Sequence, residues 1–263
     1  MDHFIWNMDP VLVSFMGLTV HWYGVLFATA IASGFQVIKH IFVREGLDVD
    51  SLDNLLIYCV VGIVLGARLG HVLFYDPEYY FAHPAKILAI WEGGLASHGG
   101  TVGVVLAMYY YKHKVKLPFL FLLDRLAIAT GIFCVFVRLG NLANSEILGV
   151  ATDKPWGMIF ERVDMVPRHP AQLYEALAYL VIFITLWLLY RYTEMKRREG
   201  ALVGLFLTLV FGARYLIEFV KVRQAEFALD WSLSVGQMLS VPFVLAGLTL
   251  LVMAYLRPPR DLR

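Results

Sequence analysis

Residues 117–139 read LPFLFLLDRLAIATGIFCVFVRL, and this stretch decides the fold class. From Leu126 to Val137 it contains no charged side chain. As a helix the whole run is long enough to cross the hydrocarbon of a bilayer, which takes about 20 mostly apolar residues. Working outward, six further runs of the same character lie near 17–39, 52–75, 87–111, 171–191, 201–220 and 235–256. Lipid offers the backbone no hydrogen-bond partners, so a chain with seven such runs is expected to be an all-α polytopic membrane protein, a bundle of seven transmembrane helices. Composition agrees: of 263 residues 59% are hydrophobic and 16% charged, against about 45–50% and about 25% in soluble domains.

Net charge is +1 with the two signs nearly balanced, so the concentrated basic face that nucleic-acid binding requires is absent. Cys59 and Cys134 both lie inside apolar runs and are read as small hydrophobes, with no disulfide or metal role. Residues 1–16 carry no Lys or Arg and no small-residue cleavage pattern, so the first hydrophobic segment is expected to be retained. Lys and Arg are denser in one set of connections (Lys39 to Arg44, Lys112 to Lys116, Arg191 to Arg198 and the tail) than in the N-terminal stretch, which has none, and the short loops that hold Lys86 and Lys221 with Arg223. The positive-inside rule then places the N-terminus outside, on the periplasmic side, and the C-terminus in the cytoplasm, with the stretch 140–170 as a small periplasmic head of a single transmembrane domain spanning 1–263. Trp156, Met158, Ile159 and Phe160 argue that this head is ordered.

No internal repeat or low-complexity tract is visible. Gly62, Gly66 and Gly70 form a small-xxx-small ladder, read as a helix-packing face. Asp124 and Arg125 read as an anchoring pair, the run 194–199 as a solvated connection, and Trp91, Tyr109 to Tyr111 and Trp231 as interfacial aromatics.

Ionisable groups within a span cost at least about 2.5–3.5 kcal/mol at its centre, so each is a functional candidate. On this topology they gather in the outer half: His21 and Tyr23; Arg68, His71 and Tyr75; His98; Arg138 with Asn141, Asn144 and Glu146; Arg168, His169 and Glu175; Arg214 and Glu218. Arg68, Arg138 and Arg214 beside histidine make an anion-binding composition, because a guanidinium grips phosphate oxygens in pairs and stays charged when desolvated. Apolar walls around it point to a phospholipid headgroup. Position alone leaves other readings open: an intrahelical Arg214–Glu218 pair, a snorkelling Arg138, a packed His98, and His169-Pro170 as a helix start.

Several separated motifs carry a resemblance over nearly the whole chain. They are His21-Trp22-Tyr23-Gly24, Gly66-Ala67-Arg68-Leu69-Gly70, Glu92-Gly93-Gly94 through His98-Gly99-Gly100, Arg138-Leu139-Gly140-Asn141 with Asn144, Glu146 and Gly149, Arg168-His169-Pro170-Ala171-Gln172-Leu173-Tyr174-Glu175, and Arg214 with Glu218. In this the chain resembles the prolipoprotein diacylglyceryl transferases. Two positions depart from that pattern, Val137 before the arginine and Ser145 before the glutamate, where glycine is usual; they bear on local backbone shape.

The resemblance implies a bacterial inner-membrane transferase that moves the diacylglyceryl group of phosphatidylglycerol onto the lipobox cysteine of a prolipoprotein signal peptide. It implies catalytic roles for Arg138 and Arg214, with His98 as the candidate base, and substrate binding by Tyr23, Arg68, Asn141, Asn144, Glu146, Gly149, His169 and Glu218. No metal or cofactor is expected, since HExxH, P-loop and GxSxG motifs are all absent. The rival reading is a transporter or flippase for an anionic lipid, which predicts polar groups reaching both faces and repeat-related broken helices.

Overall fold

The computed structural model describes residues 3–15, 17–90, 93–94, 96–223 and 232–260, the side chains of Ser97 and His98 excepted. The chain divides into two compact units, residues 1–38 with 124–263, and residues 39–123. Helix α1 (Trp22–Glu45) leads from the first into the second, and α5 (Phe119–Ala143) leads back.

The fold is mainly helical, as expected, with five short strands among the described residues. Six helices among the described residues are long and apolar enough to cross a membrane: α1, α2 (Leu52–Phe74), α5, α6 (Ala171–Tyr192), α7 (Ala201–Ile217, continued as a 3-10 turn to Val220) and α8 (Val235–Leu256). A further helix, α4 (Ser97–Val115), is less apolar and carries Lys112, His113 and Lys114 in its last turn.

Two expected spans start later than their hydrophobicity suggests. The first begins at Trp22 because residues 18–21 form strand β3 (Leu18–His21), which pairs antiparallel with β2 (Val11–Phe15) around Gly17 at φ +82°. Val, Leu and Phe satisfy a strand as well as a helix, and the glycine turn decides for the hairpin. The third begins at Ser97 because Gly93 and Gly94 sit at φ +88° and +72°, outside the helical region, after short helix α3 (Pro77–Ala82) and a 3-10 turn at Pro84–Leu88.

Within residues 39–123, α2 and α4 pack almost backbone to backbone. A Cβ on Gly62 would lie 2.6 Å from the Gly103 carbonyl, and one on Gly70 would lie 2.9 Å from Gly99 Cα. The ladder read from the sequence is therefore half of a double ladder whose other half is Gly99 and Gly103. Tyr111 is fully buried with its hydroxyl 2.7 Å from Ser51 Oγ, so it is a packed residue rather than an interfacial one, whereas Tyr110 is exposed. Trp91 and Trp231 lie outside the described residues.

In the other unit, α7 and α8 cross at Gly204 and Gly247, where a Cβ on Gly204 would sit 2.8 Å from the Gly247 carbonyl. Asp124 anchors α7 to α5: buried completely, it accepts hydrogen bonds from Gly200 N (2.8 Å) and Val203 N (2.9 Å). It thus caps a helix whose own N-cap, Gly200, has no side chain to do so. Arg125 donates to the Lys196 carbonyl at 3.1 Å. The run 194–199 is a clasp more than a solvated link, since Arg197 and Arg260 exchange backbone-directed bonds and Arg260 pairs with Glu199 at 3.0 Å.

The stretch 140–170 is ordered around a small sheet: β1 (Phe4–Trp6) parallel to β4 (Met158–Phe160), itself antiparallel to β5 (Pro167–Arg168). Trp6 packs against Leu142, Met158 and Phe160, and its indole donates to the Leu142 carbonyl at 3.0 Å. The N-terminal residues therefore complete a sheet that the middle of the chain supplies.

Candidate active site

The site is built around the end of α5. Arg138 is one turn before Asn141, and at that spacing side chains meet on one helical face. Its Nη1 donates to Asn141 Oδ1 at 3.0 Å, and Asn141 Nδ2 passes a hydrogen bond on to Glu146 Oε1, also at 3.0 Å. Asn144 Nδ2 reaches the same oxygen at 3.3 Å. For Glu146 to face back toward the helix that precedes it, the chain must reverse within a few residues. It does so through Ser145 at φ +54° and Ile147 at φ +59°, with Glu146 N donating to the Asn141 carbonyl. Left-handed backbone costs a non-glycine residue about 1–2 kcal/mol, and more for a β-branched side chain such as Ile147.

Ser145 Oγ is moreover buried without a hydrogen-bond partner among the described residues. Ser145→Gly removes both penalties, less the added freedom of the unfolded chain. It is expected to stabilise the protein by about 1 kcal/mol, raising the melting temperature by about 2–4 °C. Unchanged or lower melting would show that the turn is not strained at this position.

The other side of Arg138 meets α6. Glu175, fully buried, places Oε2 2.9 Å from Arg138 Nε, an ion-pair contact without hydrogen-bond alignment. Its other oxygen is 3.5 Å from Lys221 Nζ, and Lys221 Nζ is 3.2 Å from Glu218 Oε2. Glu218 Oε1 in turn accepts from Ser234 Oγ at 3.0 Å, at the N-cap of α8. Room for this carboxylate exists because residue 236 is glycine; a Cβ there would lie 2.5 Å from Glu218 Cδ. The result is a ladder, Arg138–Glu175–Lys221–Glu218–Ser234, joining α5, α6, the end of α7 and the start of α8. Arg138 is 14% exposed and held on two sides, so it is not a snorkelling group. Its guanidinium carbon lies 5.9 Å from the Tyr179 ring centre. Tyr23 packs on the same turn of α5, where a Cβ on Gly140 would lie 2.9 Å from Tyr23 Cδ2.

Arg214 behaves differently. The intrahelical pair with Glu218 does not form, and among the described residues Arg214 has no hydrogen-bond or ion-pair partner. It lies close enough to Tyr179 to act on its phenol electrostatically. An apolar groove of about 710 Å³ runs between α6, α7 and α8, lined by Ala178, Ile182, Ala213, Leu216, Val244 and Leu245 among others; Arg214 is not part of its lining.

Gly149 acts through its backbone. Residues 148–150 are stitched between two other chain segments: Gly149 N to the His169 carbonyl (3.0 Å), His169 N to the Val150 carbonyl (3.0 Å), Val150 N to the Val220 carbonyl (2.9 Å) and Val222 N to the Leu148 carbonyl (3.1 Å). His169 is held at the start of α6, with Pro170 at the N-cap, and its Nδ1 lies 3.0 Å from Tyr174 OH, which accepts from Trp156 Nε1. Arg168 turns outward to Asp164; that hydrogen bond holds the Asp164 carboxyl below the usual carboxylate range, so the clasp is complete above that range and loosens only in strong acid.

In the second unit, Arg68 is buried and gives its nitrogens to backbone carbonyls: Nε to Ile87 (2.8 Å), Nη1 to Gly93 (2.6 Å) and Gly94 (3.1 Å), Nη2 to Ala89 (3.3 Å) and Lys86. Five donors meet five carbonyls, which leaves none for a phosphate; the side chain fixes the segment leading into α4. His98 is on the first turn of α4, and its side chain lies outside the described residues. Among the described residues no three His, Cys, Asp or Glu side chains are gathered as a metal site.

Three contributors are not singled out by sequence, Lys221, Ser234 and Gly236, and Glu175 is a candidate there without an assigned role. Glu175 had a readable signal, a carboxylate inside the run 171–191, while the other three sit at span ends where polar or small residues are ordinary.

Comparison with known proteins bears on the same residues. The sequence profile of the prolipoprotein diacylglyceryl transferases matches residues 10–253. The chain belongs to that family. It is 53% identical over 250 residues to the phosphatidylglycerol–prolipoprotein diacylglyceryl transferase of Tolumonas auensis, covering 95% of this chain and 96% of the relative. The proteins of the same name from Porphyromonas gingivalis and Chloroherpeton thalassium are 46% and 44% identical, each over at least 94% of both chains. For this family member, the whole ladder from Arg138 to Ser234 falls inside the matched region.

Proposed function

We propose that this chain transfers the sn-1,2-diacylglyceryl group of phosphatidylglycerol to the lipobox cysteine thiol of a prolipoprotein, the first step of lipoprotein maturation. The observation that carries the reading is the contrast between two arginines of one site: Arg138, oriented on two sides by Asn141 and Glu175, and Arg214, without a counter-ion among the described residues although it lies in an apolar span. A guanidinium without a counter-ion in a membrane-spanning helix calls for an anion, and a phospholipid brings one to that depth.

In the proposed reaction the cysteine sulfur attacks the glyceryl carbon bonded to the headgroup phosphate. The C–S bond forms, the C–O bond breaks, and sn-glycerol 1-phosphate leaves carrying the electron pair. The thiol proton goes to a base, for which His98 is the candidate; a positioned base contributes on the order of 10²–10⁴-fold. Arg138 and Arg214 stabilise the charge that gathers on the phosphate, and fixed dipoles in a water-poor site do this better than solvent. Asn141, Asn144, Glu146 and Glu175 orient Arg138, Gly149 and His169 shape the wall, and Tyr23 packs beside the lipid. The chain is placed in the bacterial inner membrane with its N-terminus periplasmic and its C-terminus cytoplasmic. α4 serves as the seventh span, and 140–170 is a periplasmic head that covers the site and receives the signal peptide.

The test is incubation of the purified protein with phosphatidylglycerol, labelled in its diacylglyceryl part, and a synthetic lipobox peptide. A thioether-linked diacylglyceryl peptide and free glycerol phosphate are expected, and a Cys→Ser peptide should remain unmodified. Labelled lipid that crosses proteoliposomes while the peptide stays unmodified would instead identify a lipid transporter.

A further inference from the structure

We propose that Lys221 is a positioning residue that keeps Arg214 available for the lipid phosphate by holding Glu218 away from it. This rests on the reading of Arg214 as a phosphate ligand.

Arg214 and Glu218 are four residues apart, the spacing at which opposite charges pair on a helix. Neither oxygen of Glu218 goes to Arg214: Oε1 accepts from Ser234 Oγ at 3.0 Å, and Oε2 lies 3.2 Å from Lys221 Nζ. The backbone does not separate the two, since Glu218 N–H still donates to the Arg214 carbonyl; the direction of the carboxylate is set by Ser234 and Lys221. Lys221 cannot simply follow Glu218 around, because its own backbone is fixed. It forms an antiparallel bridge with Gly149, and Val222 N donates to the Leu148 carbonyl.

The side chain of Lys221 is 4% exposed and contacts two carboxylates, Glu175 and Glu218. A buried ammonium between two carboxylates that each have an arginine close in the fold or the sequence works as a competitor for both. Arg138 still keeps the second oxygen of Glu175. Arg214 keeps no partner among the described residues, and Glu146 is engaged by the amides of Asn141 and Asn144. The surplus positive charge is therefore left on Arg214.

The experiment compares retention of phosphatidylglycerol and of phosphatidylcholine by wild type, Lys221→Met, Lys221→Arg and the Lys221→Met/Glu218→Gln pair, read by native mass spectrometry, with melting temperatures measured alongside. In Lys221→Met, Glu218 is expected to fall back on Arg214, and preferential retention of phosphatidylglycerol should drop about ten-fold or more, the scale of one lost charge-assisted contact. Lys221→Arg should retain the preference, and the double variant should regain it, because no carboxylate remains to capture Arg214. A Lys221→Met protein that melts like wild type and keeps its lipid preference overturns the proposal. So does a double variant that regains its melting temperature but not its preference, since Lys221 then contacts the lipid itself or only supports the fold. If Lys221→Met alone does not fold, the charge-balanced double variant decides by the same criterion. Wild type without any preference for phosphatidylglycerol would sink the Arg214 reading and this proposal together, whereas a preference insensitive to Lys221 sinks the proposal alone.

Discussion

Arg138→Ala is expected to lose diacylglyceryl transfer altogether within the range of a usual assay, a fall of at least about 10²–10³-fold. Removal of a single preorganised donor from a developing anion has that effect elsewhere, and here the loss is compounded. Glu175 is fully buried and faces Arg138 at 2.9 Å; without the guanidinium it keeps only Lys221, 3.5 Å away. Breaking a buried pair by removing one partner costs about 3–5 kcal/mol, so the variant should also melt lower and accumulate less. Arg138→Lys separates the two effects. It retains a positive charge for Glu175, but an ammonium cannot span Asn141, Glu175 and a phosphate at once. Melting close to wild type with kcat/KM down by about 10²-fold is the expected result. Near-normal turnover by Arg138→Lys would mean that charge alone, without the oriented fork, supports the reaction.

Gly149→Ala is expected to be the most damaging single-methyl change in the stretch 140–170. A Cβ at this position would lie 2.5 Å from His169 Cβ and 2.8 Å from the Val220 carbonyl, both belonging to segments hydrogen-bonded to residues 148–150. There is no flexible side-chain end to move aside, so the seam itself must part. Overpacking of this kind costs about 1–3 kcal/mol, and opening the seam would also shift the Lys221 backbone and the turn holding Glu146. Both a lower melting temperature and a transfer rate reduced by more than about ten-fold are expected. A Gly149→Ala protein with wild-type melting would show that the seam is looser than its hydrogen bonds suggest.

These two residues show how unevenly the site could be read from sequence. Arg138 stands out because an ionisable group closing an apolar run is expensive, and expense is visible in one dimension. The relation to Asn141 follows from helical spacing and was equally legible. Glu175 and Lys221 were not assigned roles, because the ladder joins residues 46 apart in sequence, and nothing local links them. Arg68 errs in the opposite direction. As an arginine within a span it groups with the phosphate ligands, but its five donors are met by backbone carbonyls of 86–94.

By itself, then, the sequence determined the class of structure and the family. Apolar runs long enough for the hydrocarbon, glycine spaced for close helix contact and arginines in costly places are local properties, and lipid permits few folds that satisfy them. Only the tertiary structure decided which arginine is held and which is left without a partner. That depends on how carboxylates from α6, α7 and the N-cap of α8 are shared out among the cations around them. Such competition is settled by distances of about 3 Å between groups far apart in the chain, where the strength of an ion pair depends on burial and geometry and not on the residues' identities alone.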